Sequence, residues 1–274
     1  MTVRERLVLL GHPVSHSLSP AMHAVALAAA GIPLRYEPVD IPPSELRATL
    51  HALRASMTAG NITIPHKVRA MELMDECSVL ARRVGAINTF WRERDGRMAG
   101  DNTDVEGFDK FVVGFLGARP ASTRVAIIGA GGAAAAVLAA LLEWPEATAT
   151  VHSRNPAGAH DLCARFFDVA EPASMSDGRL SLADIVVNAT PVGLAADTHP
   201  VALEALKGDA VVLDLVYRRE ETSWVREARA RGHRASDGLP MLLHQGVAAF
   251  ERWFGVRPDP APMWRALTVA AGRA

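Results

Sequence analysis

The chain has 274 residues, 49% hydrophobic and 22% charged, with a formal net charge of −1. That is the balance of an ordinary globular protein of one large or two modest domains, and it gives no net positive charge to attract nucleic acid or an anionic membrane. Cys77 and Cys163 lie far apart without metal-ligand spacing, so no disulfide and no metal are expected and a cytoplasmic setting fits.

The front of the chain alternates strand and helix. Residues 5–11 (ERLVLLG) are an apolar run ending in glycine, too short for a signal peptide's core and suited to a buried strand. Ser19-Pro20 opens a helix through Ala30, with Ser19 as its cap, and Gly31 stops it. Residues 34–39 predict a second strand, Pro42-Pro43-Ser44 begins a helix ending near Ser56, and residues 57–62 predict a third strand that Pro65 ends. Helical patches follow at 66–74 and 77–83, then a β-hairpin over 87–100 turning at Asp95-Gly96. An α/β layer is the expected architecture of this half.

The second half is more regular. Strands are predicted at Arg124–Ile128, Ala147–His152, Asp184–Asn188 and Ala210–Leu215, with helices from the glycine turn to Leu142, over Ala157–Phe166 and over 221–231. Consecutive β-α-β units imply a parallel, doubly wound sheet. The Ala-rich run Ala133–Leu142 ends at Glu143 and is too short to span a bilayer. From Gly238 onward the chain is helical, in two segments broken around Gly255–Pro262.

Gly129-Ala130-Gly131-Gly132-Ala133-Ala134 follows a predicted strand and opens a predicted helix, the context of a dinucleotide-binding turn. Its first glycine permits a tight turn, its second lets backbone approach a pyrophosphate, and the helix start offers free N–H groups. About 20 residues on, an NAD site carries an acid for the ribose hydroxyls. Here the corner is His152-Ser153-Arg154-Asn155, with no carboxylate; Arg154 suits a 2′-phosphate and Ser153 and Asn155 add hydrogen bonds, so NADP is the expected cofactor.

The front half carries scattered polar groups. Ser17 and Ser19 stand two residues apart at a strand-to-helix connection, where two hydroxyls can donate to one carboxylate. Asn61-Ile62-Thr63-Ile64-Pro65-His66-Lys67 puts a lysine just past a strand end, Gly85-Ala86-Ile87-Asn88-Thr89 puts an amide within an apolar stretch, and Gly100-Asp101-Asn102-Thr103-Asp104 places two acids before the next helix. Each alone also fits a surface lysine, a strand-end amide or a helix cap. Together, in front of a dinucleotide domain, they point to a polar ligand rich in hydroxyls.

With these stretches, Gly11–Pro20, Asn188-Ala189-Thr190, Leu215-Val216-Tyr217 and Asp237–Gln245, the chain resembles the shikimate dehydrogenase family from end to end. The resemblance implies reversible NADPH-dependent reduction of 3-dehydroshikimate to shikimate. It implies that Ser17 and Ser19 bind the substrate carboxylate, and that Thr63, Asn88, Tyr217 and Gln245 contact the carboxylate or ring hydroxyls. It places Lys67 and Asp104 at the reacting carbon. For the cofactor it implies Gly129, Ala130, Gly131, Gly132, Ala133, the corner Ser153, Arg154 and Asn155, and Leu215 and Gly238. Departures from the family pattern stand at the corner, at Pro191, at Arg219 and at Pro240; none removes a proposed catalytic group.

The expected fold is two α/β domains. One is a discontinuous substrate domain of residues 1–103 plus 238–274, because Gln245 must return to the substrate. The other is a doubly wound Rossmann-type domain of residues 104–237. The expected partner is the small-molecule substrate, without nucleic acid or membrane, and a homodimer stays open. The alternatives are a quinate/shikimate dehydrogenase using NAD or both cofactors, an amino-shikimate enzyme, and a non-catalytic NADP-binding sensor, which would have no need of Lys67 and Asp104.

Overall fold

In the computed structural model, which describes residues 3–273, the apolar run at the front becomes strand β1 (Arg6–Gly11), buried at every position but Arg6. Met1, Thr2 and Ala274, included in the expected substrate domain, lie outside the described residues. Helix α1 (Ser19–Ala29) leads to β2 (Tyr36–Asp40), and α2 (Leu46–Leu53) leads to β3 (Thr58–Ile62). Helical crossovers allow parallel pairing, and β1 pairs parallel with both β2 and β3. Then come α3 (Lys67–Met71), β4 (Glu76–Cys77), α4 (Val79–Val84), and the hairpin strands β5 (Thr89–Arg92) and β6 (Met98–Asp101). The hairpin is antiparallel, Arg92 facing Met98, and Gly96 at φ +95° allows its turn.

The sheet order is β2-β1-β3-β5-β6-β4. Val8, Leu10, Leu50, Leu53, Ile62, Phe90 and Met98 form one core beneath it. The helical patches expected at 66–74 and 77–83 are shorter. Cys77 belongs to the edge strand β4, and Ser78 caps α4 by accepting from Ala81 N.

Helix α5 (Asp104–Leu116) leads into the second sheet. Its elements are β7 (Arg124–Ile128), α6 (Gly132–Leu141), β8 (Thr148–His152), α7 (Pro156–Arg165), β9 (Ala170–Ala173), β10 (Ile185–Asn188), β11 (Val211–Asp214), α8 (Ser223–Ala230) and β12 (Ala235–Ser236). All pairs are parallel, in the order β12-β11-β10-β7-β8-β9. This is the doubly wound arrangement, with its reversal between β7 and β10. The alanine richness of α6 has a packing reason: Ala134–Leu141 is buried throughout, and small side chains let a helix sit close to a sheet.

The chain closes with α9 (Leu239–Phe254) and α10 (Pro260–Ala270), which packs along α1. It divides into two units, Met1–Gly107 with Leu242–Ala274, and Phe108–Met241. Both divisions fall inside helices, α5 and α9, and Lys67, Asp104 and Gln245 share the first unit. No described helix is long and apolar enough to cross a membrane.

Candidate active site and dinucleotide turn

Topology collects the polar groups of the first unit. Strands β1, β3 and β6 run in one direction and β5 in the other. The segments leaving β1, β3 and β6, and the one entering β5, therefore share one sheet edge. Those segments carry Ser17, Lys67, Asp104 and Asn88. Lys67 Nζ donates to Asp104 Oδ2 at 2.6 Å, with the two side chains 23% and 8% exposed. Asn88, buried, donates from Nδ2 to Asp104 Oδ1 at 2.9 Å, to Thr103 Oγ1 at 3.0 Å and to Gln245 Oε1 at 3.2 Å. Its Oδ1 accepts from Thr103 N at 2.7 Å. Gln245 is oriented from α9 by donating Nε2 to Leu242 O at 2.9 Å. The structure thus brings Lys67, Asp104, Asn88 and Gln245 into one network, in which a half-buried ammonium is held against a buried carboxylate.

The serine loop has its own support. Asp40 accepts from Val14 N at 3.2 Å and meets His12 Nδ1 at 2.5 Å; the His12 contact holds its carboxyl below the usual range. Ser17 N donates to Val14 O at 3.1 Å, and Ser17 Oγ accepts from Ser19 N at 3.2 Å. This corrects the sequence expectation for Ser19. The helix starts at Ser19 itself, Leu18 stands at the cap position, and no side chain caps it. Ser19 Oγ is therefore not spent as the α1 cap. Thr63 follows β3 and its methyl packs close to Gly11. His66 is a buried pin rather than a reactive group, with Nε2 2.8 Å from Ile41 O.

In the second unit, Gly129 ends β7 at φ +112°, and a Cβ there would come within 2.9 Å of Thr190 Cγ2. Gly131 precedes α6 with no side-chain cap, and a Cβ on it would meet nothing within 4 Å. The N–H groups of the first turn of α6 are thus left without a side-chain acceptor, as a pyrophosphate site requires. At the end of β8, Arg154 is exposed and has no ion pair among the described residues. Ser153 Oγ accepts from Asn155 N at 3.0 Å. Asn155 Oδ1 caps α7 by accepting from Gly158 N at 3.2 Å, so only its amide nitrogen remains as a donor for the corner. Gly238 is held to Val216 O by its N–H at 3.0 Å, and a Cβ on it would lie 2.3 Å from Leu215 O, a contact no other residue fits. Leu215 and Tyr217 lie in this unit, on the segment leaving β11.

Three groups went unassigned in the sequence. Asn61 donates to Asn88 O at 3.0 Å and accepts from Tyr36 OH at 2.7 Å, so it supports Asn88 from behind. Asp101 is held by Ser78 Oγ at 2.5 Å and by Arg252 Nε at 3.0 Å, which ties α9 to the β6 end. Asp214, fully buried at the end of β11, has its carboxyl pushed up to about 6 by desolvation. An acid inside the apolar run AVVLDL is the signal that could have marked it.

Residues 9–90 match the shikimate dehydrogenase substrate binding domain, and residues 238–268 match the shikimate 5′-dehydrogenase C-terminal domain. A shikimate dehydrogenase (NADP(+)) of Rubrobacter xylanophilus is 43% identical over 272 residues, covering 95% of this chain and 94% of that protein. The structure of shikimate 5-dehydrogenase from Thermus thermophilus in complex with NADP(H) and shikimate is 38% identical. It has a TM-score of 0.86 and covers 97% of this chain and 99% of that one. A quinate dehydrogenase from Corynebacterium glutamicum in complex with NAD is 30% identical with a TM-score of 0.87, covering 97% and 99%.

Proposed function

The chain belongs to the shikimate dehydrogenase family, and on that premise we propose that Lys67 and Asp104 serve the reversible NADPH-dependent reduction of 3-dehydroshikimate to shikimate. The first unit binds the substrate and the second the dinucleotide. The observation that carries the reading is the Lys67–Asp104 pair, 2.6 Å apart, in a network with Asn88 and Gln245.

When bound, NADPH supplies the hydride. As a ketone carbon accepts it, the carbonyl electron pair moves onto oxygen, which then needs a proton or a cation beside it. Lys67 holds protons at Nζ for that oxygen. Asp104 orients the ammonium and keeps its second oxygen tied to Asn88, so the carboxylate stays aligned. Ser17 and Ser19 bind the substrate carboxylate, and Thr63, Asn88, Gln245 and Tyr217 hold its carboxylate or ring hydroxyls. Asn61 and Asp101 support this set without touching the substrate.

The second unit fits NADP. Bare N–H groups at the start of α6 suit the pyrophosphate, and Arg154, with no carboxylate at its corner, suits a 2′-phosphate. The same corner disfavours NAD, whose ribose hydroxyls call for an acid. A reducing cytoplasm suits the two free thiols, Cys77 and Cys163.

The test is absorbance at 340 nm with shikimate or quinate and NADP+ or NAD+ in all combinations. Shikimate with NADP+ should be turned over with the highest kcat/KM. Faster turnover of quinate with NAD+ would replace this reading by the quinate one, and no turnover in any combination would end it.

A further inference from the structure

We propose that Asp214 is the positioning residue for the nicotinamide half of the cofactor site, because it ties the chain leaving β10 to the chain leaving β11. This rests on the dinucleotide reading above. A doubly wound sheet is two mononucleotide-binding halves placed side by side. The half built on β7, β8 and β9 carries the phosphate turn and the Ser153–Asn155 corner, so it takes the adenosine end. The half built on β10, β11 and β12 is left for the nicotinamide end. Asp214 stands at the carboxyl edge of that second half, where such sheets bind their ligands.

Its carboxylate is fully buried and accepts three donors from three segments. Oδ1 takes Asn188 Nδ2 at 2.8 Å and Val216 N at 3.0 Å, and Oδ2 takes Thr222 Oγ1 at 2.7 Å. Asn188 passes the connection on. Its Oδ1 accepts from Thr190 N at 3.0 Å and from Thr190 Oγ1 at 2.6 Å, and its Nδ2 also donates to Val192 O at 3.0 Å. Val192 N returns to Thr190 Oγ1 at 3.2 Å. Thr190 is also the neighbour that a Cβ on Gly129 would meet.

One acid therefore fixes the Thr190–Val192 segment against the phosphate turn. It also fixes Val216, the residue between Leu215 and Tyr217. A carboxylate is the group for this place because it offers acceptors only. An asparagine would turn one acceptor into a donor: at Oδ1 it would face the Val216 N–H and Asn188 Nδ2, and at Oδ2 it would force the Thr222 hydroxyl to turn and accept. Burying a carboxylate costs stability unless every lone pair it uses is met, so an acid retained here needs a return beyond packing. Control of two backbone segments beside the cofactor is that return.

The experiment compares Asp214→Asn, Thr222→Val and Thr222→Ser with the wild type. It measures kcat, thermal melting, and calorimetric affinity for NADP+ and for 2′,5′-ADP, a fragment without the nicotinamide end. Asp214→Asn should lower kcat by about tenfold or more, and Thr222→Val by less, because small misplacements at a reacting centre are costly. Both should weaken NADP+ while leaving 2′,5′-ADP within twofold of wild type, and Thr222→Ser, which keeps the hydroxyl, should restore kcat. If Asp214→Asn does not fold, Thr222→Val decides, since it leaves the carboxylate in place. Wild-type kcat in both variants, or equal weakening of NADP+ and 2′,5′-ADP, would overturn the proposal. A wild type that binds neither nucleotide would instead overturn the dinucleotide reading.

Discussion

The first unit assembles its candidate site from side chains, while the second assembles its candidate site mainly from backbone. Lys67, Asp104, Asn88 and Gln245 reach one another by hydrogen bonds between side chains, and each comes from a different stretch of chain. Around the glycine turn, the shape comes from Gly129 at φ +112° and from uncapped N–H groups at the start of α6, with Arg154 exposed at the end of β8. A side-chain site can lose its chemistry without losing its shape. A backbone site is disturbed by what is added to it, because a new Cβ strains the turn and displaces its neighbours.

The contrast predicts opposite kinetic signatures. Lys67→Ala should have the largest effect, lowering kcat by roughly 10²–10⁴-fold, the usual worth of a positioned proton donor, with shikimate affinity changed little. A turnover near wild type would remove the assignment. Gly129→Ala should act through binding, raising the KM for NADPH by about tenfold or more, since the turn is strained by a side chain at positive φ and the Cβ meets Thr190. Shikimate binding, measured by calorimetry without cofactor, should not move. If it did, the two sites would not be separable in this way. Arg154→Ala sharpens the comparison further. It should raise the KM for NADPH by about tenfold and leave that for NADH nearly unchanged, and equal effects on both would end the 2′-phosphate assignment.

The smallest effect at neutral pH concerns a group that serves neither site. His23 is fully buried between Tyr36 and Trp253, without a hydrogen-bond partner among the described residues. Burial pushes its pKa from 6.5 to about 3. A histidine with a depressed folded-state pKa leaves stability intact above its unfolded pKa and erodes it as pH falls below. The loss runs from pH 6.5 toward pH 3 and amounts to about 5 kcal/mol at its limit. His23→Leu should flatten the urea-midpoint profile across that window, and an unchanged acid limb would show that His23 is not its source.

Much of this was legible in the sequence because its signals are local. The runs RVAII, DIVVN and VVLD are short, apolar and β-branched, and the glycine turn follows one of them directly. Strands β4, β9 and β12 were not legible. Each has two or four residues and lies on the edge of its sheet, where an interrupting polar residue or proline, such as Pro172 in β9, is tolerated. Ser19 was misread because a serine before a proline has the pattern of a cap, whereas the helix in fact begins on it. Lys67 and Asp104 were proposed from the family resemblance. Their meeting depends on β3 and β6 running the same way on either side of β5, a non-local fact that no spacing in the chain records. Asp214 carries a local signal, an acid inside an apolar run, but its link to Asn188, 26 residues away, is non-local.

The most direct measurement compares kcat of the double variant Lys67→Ala/Asp104→Ala with kcat of each single variant, all with shikimate and NADP+. Groups that act as one unit are lost together, so the double variant should fall no further than the worse single, to within about threefold. If the two losses multiplied instead, Lys67 and Asp104 would be acting independently, and their shared role at the reacting carbon would be contradicted.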